Sequence, residues 1–327
     1  MKRNSYIDNY KALLIILVVL THFTGALSGK SSFFNAFQIY NNFFYMPAFI
    51  MISGYLSKKN DTLKLIKSLL IPYLFIQILN ILLDMFITHE SNSIALFYPK
   101  FTLWYLLSLF LWRISIKYVS KIKYGMIIMT IIALLAGFDT SIGTFMSLSR
   151  TIYFYPYFLL GYKIKDLNQI LKYKNKVTIM ISVIALGIIF CYTYYHVDSD
   201  ILNVLTGAKD YEEINLATWG WLYRLICYGI GYTMTFFIAM IVPQRKLFFT
   251  DLGKKTMSVY VFHGCVYQFI RHRLHLYNYI HTSFSYVILI IGVFLLIWIL
   301  SRKPFIWIMQ KISSVPIEKL KRRDMKL

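Results

Sequence analysis

The chain has 327 residues, of which 58% are hydrophobic and only 15% charged, with 26 Phe, 27 Tyr and 6 Trp. Soluble domains hold about 25% charged residues and lack repeated apolar runs of ~20, so a soluble fold is excluded and an all-α polytopic membrane protein is the class. The net charge of +21 does not mark a nucleic-acid binder, because the basic residues sit in short segments between apolar runs, as in a membrane protein. Cys191, Cys227 and Cys265 lie in or beside apolar segments at no metal-ligand spacing, so neither a disulfide framework nor a metal is expected.

Taken in order, the apolar runs predict about ten transmembrane helices, near 11–28, 39–57, 64–87, 102–119, 124–138, 151–166, 177–195, 219–242, 255–270 and 284–300. The fifth, sixth and ninth are short or weakly apolar and are expected to tilt, break or sit inside the bundle. With the N-terminus cytoplasmic, 27 of the Lys and Arg residues fall in inner segments and six in outer ones, leaving Lys11 and Arg224 within spans. Both termini are therefore predicted to be cytoplasmic. Met1-Lys2-Arg3 followed by an apolar run has the look of a signal peptide, but no small-residue cleavage site follows, so the first helix is expected to be retained. The reading is a single integral-membrane domain over 1–327, with a basic tail from about 302 that adheres to anionic lipid and with no soluble domain. Richness in Ile, Lys, Asn and Tyr is that of a low-GC bacterial genome, which places the chain in a bacterial plasma membrane. The longest outer loop, about 196–218, carries Asp198, Asp200, Asp210, Glu212 and Glu213; it is either a cover over an outward-facing site or an ordinary solvated loop. No internal repeat is seen, so an inverted-repeat transporter finds no support.

Three stretches hold residues suited to chemistry. In the first helix, Lys11 and His22 are eleven positions apart, which at ~100° and ~1.5 Å per residue puts them on one face about 16 Å apart, with Asp8 near the same face. Ionisable groups inside a membrane helix are functional candidates, although a snorkelling lysine and a histidine bonded within the bundle would leave the same trace. The second stretch runs from Phe43 to Leu56: Pro47 interrupts a helical ladder, and Ser53-Gly54 permits close approach of a helix or a ligand. Lys58, Lys59, Lys64 and Lys67 follow as a basic inner patch that suits a polyphosphorylated donor, or that positive-inside bias alone explains. The third, from Leu252 to Gly264, sets Tyr260 and His263 one turn apart; Arg224 is the other intramembrane cation, fitted to bind substrate or to pair with a carboxylate.

Together these residues resemble the integral-membrane acyltransferase-3 family, and within it the fucose 4-O-acetylase-like polysaccharide O-acetyltransferases. The resemblance runs along most of the chain. It is carried by Tyr6-Ile7-Asp8 with Lys11, ten intervening residues and His22, like the family's Arg/Lys-x10-His signature. The Phe-x-Met-Pro…Ser-Gly-Tyr-Leu segment at 44–56, the segment Leu103-Trp104-Tyr105-Leu106 and the helix with Ser258, Tyr260 and His263 complete it. The resemblance implies acetyl-CoA as cytoplasmic donor and a glycan hydroxyl as acceptor, a capsule, exopolysaccharide, wall polymer or lipid-linked unit. It implies His22 as the catalytic histidine and Lys11 as its partner towards the donor. Lys64-Leu65-Ile66-Lys67 stands where the family often has Arg-x-x-Arg, which keeps charge and loses the bidentate fork. Asp8, Ser53, Trp104, Arg224, Tyr260 and His263 are the expected substrate-binding or oxyanion residues, and Lys58, Lys59, Lys64 and Lys67 the expected acyl-CoA contacts. The rival readings are a flippase for polysaccharide or lipid-linked sugar, which gives no reason for the Lys-x10-His spacing, and a non-catalytic partner in an envelope-building complex. A homo-oligomer is left open.

Overall fold

The computed structural model describes residues 4–59, 61–88 and 95–315, and among these every regular element is helical. His89, the first residues Lys2 and Arg3, and the tail cations Lys319, Lys321, Arg322, Arg323 and Lys326 lie outside the described residues. The helices are α1 (Ser5–Gly25), α2 (Ser32–Asn42), α3 (Tyr45–Tyr55), α4 (Thr62–Leu65), α5 (Ile71–Thr88), α6 (Trp104–Val119), α7 (Gly125–Leu135) and α8 (Leu148–Lys163). They continue with α9 (Asn168–Leu171), α10 (Lys176–His196), α11 (Ile201–Thr206), α12 (Gly220–Ile241), α13 (Thr256–Gln268), α14 (Ser283–Leu300) and α15 (Lys303–Ser313). Polar residues set several starts: the side chains of Asn4, Asp61, Asn175 and Thr282 accept from first-turn amides that no helical carbonyl can satisfy.

Each of the ten expected spans corresponds to helical structure, but among the described residues only five stretches are long and apolar enough to cross a membrane: Ser5–Gly25, Thr62–Ile87, Lys176–His196, Gly220–Ile241 and Ser283–Leu300. The expected second span is not one helix. The chain breaks at Phe43–Phe44 and restarts as α3, so Pro47 stands in the first turn, where a missing N–H leaves no helical carbonyl unsatisfied. The expected third span is continuous but widens to a π-turn at Ile66–Leu70, just before Pro72. Proline has no N–H to give to the ladder and crowds the preceding turn, which accounts for the local change of pitch.

Burial orders the bundle. In the most apolar stretch of α1, 67% of residues are buried, against 17% in α10 and 22% in α14. Burial and not apolarity separates them: α1 is the least apolar of the five long helices and the most buried, so it is the central post. The more apolar α10 and α14 stand at the rim, presenting large side chains such as Ile188 and Ile291 outward. Tyr6 and Tyr10 tie α1 to α12 by donating to the carbonyls of Ala239 (2.8 Å) and Thr235 (2.9 Å). The closest helix pair is α3 with α8. A Cβ on Gly54 would stand 2.1 Å from the Phe158 carbonyl oxygen, and one on Gly161 would stand 1.9 Å from that of Met51. Ser53-Gly54 thus serves the approach of a helix, which brings the N-terminal half of α8 beside the site.

Candidate active site

His22 lies in the last turn of α1, half-buried, and opens into a cavity of about 300 Å³. Five parts of the chain converge on it. The α2–α3 break supplies Gln38, Asn42 and Tyr45; the segment before α6 supplies Phe101, and α6 itself Trp104; the first turn of α8 supplies Arg150. Arg271 comes from the π-turn after α13, and α11 closes one wall with Leu202, Leu205 and Thr206. The loop at 196–218 covers the His22 cavity by means of α11, while its acidic residues line none of it.

Against His22 lie two rings. Phe101 is 5.0 Å away between centroids and His263, from α13, is 5.4 Å away. His263 Nδ1 sits 3.0 Å from the Val259 carbonyl. A carbonyl only accepts, so Nδ1 carries the proton there and Nε2 of the neutral ring is a bare acceptor. That Nε2 is buried and has no hydrogen-bond partner, as is true of Thr21 Oγ1 on the cavity wall. Buried polar atoms are nearly always satisfied, so two orphans beside one histidine mark a place where a bound group completes the bonding. Phe101 has φ of +49°, a left-handed conformation that costs a non-glycine residue ~1 kcal/mol or more, and it stacks on Tyr267 at 5.0 Å and 13°. The adjacent Thr102 carbonyl accepts the hydroxyl of Tyr260.

The expected site residues divide into three groups. His22, His263 and Trp104 come together at or against the cavity, with Tyr260 behind His263 at 5.9 Å. Tyr260, its hydroxyl committed to Thr102, holds the Phe101 segment in place. Asp8 and Lys11 occupy the opposite end of α1: Asp8 is buried, with its backbone against Gly253, and Lys11 is half-buried. Asn9 fastens this end, donating to the carbonyls of Pro243 (2.9 Å) and Arg245 (2.8 Å) and accepting from Thr250.

The remaining expected residues are elsewhere. Ser53 is bonded to the Tyr105 hydroxyl at 2.6 Å and to the Phe49 carbonyl at 2.9 Å, a link between α3 and α6 rather than part of the cavity wall. Lys58 donates to the Tyr162 carbonyl and stands 4.6 Å over that tyrosine's ring, and burial holds its ammonium below the usual lysine range. Lys59 and Lys64 are exposed, and Lys67 is half-buried. Arg224 does not line the cavity. It is buried, donates to the carbonyls of Ala133 (3.2 Å) and Lys209 (2.8 Å) and lies 4.6 Å over the Tyr211 ring, so it closes the C-terminal turn of α7 and anchors the outer loop.

Arg150 and Arg271 were not among the expected site residues, because both read as ordinary cations of outer segments. The signal lay in their setting: each stands next to aromatic residues and away from any carboxylate in sequence. Phe101 carried no signal at all, since a left-handed aromatic is invisible in composition.

The geometry is that of a histidine at the floor of a partly enclosed polar chamber, backed by a second histidine, on a central helix with a cation at its far end. No curated protein and no solved structure matches the chain. The family described as "Acyltransferase domain" matches residues 4–302, which takes in α1, the cavity walls and α13 and nearly the whole chain. The chain belongs to the acyltransferase-3 family of membrane acyltransferases.

Proposed function

We propose that this acyltransferase is an O-acetyltransferase of the fucose 4-O-acetylase-like type, moving an acetyl group from cytoplasmic acetyl-CoA to a hydroxyl of a bacterial envelope glycan. The observation that carries the reading is the opening of His22 into a 300 Å³ chamber, at one end of a helix whose other end carries Asp8 and Lys11. In this reading the N-terminus and the Lys59, Lys64 and Lys67 face are cytoplasmic and receive the phosphates of CoA. Lys58, already engaged with Tyr162, has less freedom to take part. The extended arm of the donor is comparable in length to the ~16 Å between Lys11 and His22.

At the chamber, His22 takes the proton of the acceptor hydroxyl as its oxygen attacks the thioester carbonyl; the C–S bond breaks and the thiolate leaves, to be protonated as CoA. The acyl-histidine route divides the same exchange into two displacements at the acyl carbon: His22 nitrogen first replaces the thiolate, which leaves as CoA, and the acceptor oxygen then replaces His22 while its proton is lost. In both, a cation forms on His22, and the bare Nε2 of His263 is a lone pair beside it that favours the positive ring. The orphaned Thr21 hydroxyl is a donor for the substrate. The protein acts in the plasma membrane, both termini inside, alone or as a homo-oligomer.

The test supplies labelled acetyl-CoA to the cytoplasmic side of membranes holding wild type or His22→Ala. Label in glycan from the wild type alone supports the reading, with a loss of about 10²–10⁴-fold or more expected from removing a general base. Equal label in both membranes, with both proteins folded, would sink the role of His22.

A further inference from the structure

The His22 chamber is not a single compartment. A second cavity of about 260 Å³ adjoins it, and the two share Phe101 and Arg150 as common wall. The second cavity is lined by hydroxyl-bearing Thr144, Ser147 and Ser149. Ser147 belongs to the strained turn Met146–Ser147, with φ of +50° and +52°, which leads into the first turn of α8.

Arg150 stands in that first turn, at the positive end of a 16-residue helix, where a cation is disfavoured and an acidic residue is the usual choice; no acidic residue is present there. Its guanidinium lies 5.2 Å over the Trp104 ring, and Trp104 in turn stacks on Phe154 at 5.3 Å. Among the described residues it has no carboxylate or carbonyl partner. It differs in this from Arg224, whose two terminal nitrogens donate to carbonyls and whose buried Nε alone has no partner. A second guanidinium, Arg271, also lines the His22 cavity and donates to the Tyr267 hydroxyl. No Asp or Glu lines either cavity among the described residues. A planar five-donor fork held over an indole, at a helix N-terminus and between two chambers, is built to receive an oxyanion.

We propose that the two cavities are neighbouring subsites for an acidic glycan, and that Arg150 binds the carboxylate or phosphate of the unit beside the one acetylated at His22. The inference rests on the acyltransfer reading and names its acceptor class. Phe101 is the partition between the subsites, with the reacting hydroxyl on the His22 side. Arg150 sets register: with its anion seated, the next unit along the chain presents its hydroxyl to His22.

The experiment uses membranes with wild type, His22→Ala, Arg150→Gln or Arg150→Lys, labelled acetyl-CoA, and base-deacetylated envelope glycan from the same cells as titrated acceptor. Labelled product is run on an anion exchanger before and after chemical reduction of carboxyl groups. Expected is His22-dependent label retained on the exchanger, and an Arg150→Gln variant whose acceptor KM rises about tenfold with kcat little changed, the scale of one lost charge-assisted bond. Arg150→Lys recovers part of that loss, since it keeps charge without the fork. Retention abolished by reduction identifies a carboxylate; retention that survives reduction identifies a phosphate. Label in the neutral flow-through overturns the inference and leaves the acyltransferase standing. So does an Arg150→Gln variant that binds acceptor as wild type does, or that loses kcat with KM unchanged. Absence of any His22-dependent label overturns the acyltransfer reading itself, and this inference with it.

Discussion

Replacing His263 by Phe separates a catalytic role from a structural one. The imidazole makes one bond, Nδ1 to the Val259 carbonyl, and buries one orphaned nitrogen. Losing the bond costs about 0.5–1.5 kcal/mol, and removing the orphaned acceptor returns about 1–3 kcal/mol. Before packing is counted, the variant therefore lies between about 0.5 kcal/mol less stable and about 2.5 kcal/mol more stable than wild type. The slightly larger phenyl ring takes back up to ~1 kcal/mol in a filled site. His263→Phe is thus expected to lie between about 1.5 kcal/mol less stable and about 2.5 kcal/mol more stable than wild type in detergent, a melting temperature near or above that of wild type. Transfer is expected to fall about 10- to 100-fold, because His22 loses the lone pair that favours its cationic form and orientation. The two readouts are thermal unfolding of purified protein and acetyl transfer in membranes. A variant that loses ~2 kcal/mol or more while retaining full activity would refute the reasoning, since the second histidine would then be a satisfied packing residue.

Other expectations follow from single contacts. Asn9→Ala removes three hydrogen bonds that hold the 243–250 turn to α1, at about 1 kcal/mol each, and unfolding should move by about 3 kcal/mol; an unchanged midpoint would show that the turn needs no anchor. Gly54→Ala or Gly161→Ala drives a Cβ to within 2.1 or 1.9 Å of a backbone oxygen on the partner helix. Neither backbone can yield without parting α3 from α8, so a loss of about 3 kcal/mol or more, read as failure to accumulate or early melting, is expected. Arg224→Gln is expected to lower the melting temperature while the acceptor KM stays as in wild type, because its two terminal nitrogens hold the carbonyls of Ala133 and Lys209 and it lines no part of the His22 cavity. A selective rise in that KM would return Arg224 to the substrate.

Much of this protein could be read along the chain. Membrane class follows from apolar runs too long and too numerous for a soluble core, and each run corresponds to helical structure. The Lys11–His22 spacing follows from helix geometry, and α1 carries both residues as one unbroken helix. Ser53-Gly54 announced a close approach, and α8 is what approaches. All of these are local properties, set by residues within a few turns of one another. Pro47 shows where local reading stops: the proline was visible, but whether it kinks a helix or begins one depended on the break at Phe43–Phe44.

What only the tertiary structure decided is which distant residues meet His22. His263 is more than two hundred positions away and reaches it because α13 packs on α1. In sequence Arg224 lies within a span and stands out as a substrate candidate while Arg150 reads as an ordinary cation of an outer segment, yet packing puts Arg150 and not Arg224 on the cavity wall. Arg224 gives its terminal nitrogens to the carbonyls of Ala133 and Lys209, and Arg150 is left facing two cavities. The physical reason is that hydropathy records how much a residue gains by leaving water, whereas a binding site is defined by which polar groups are left without partners once every helix has packed.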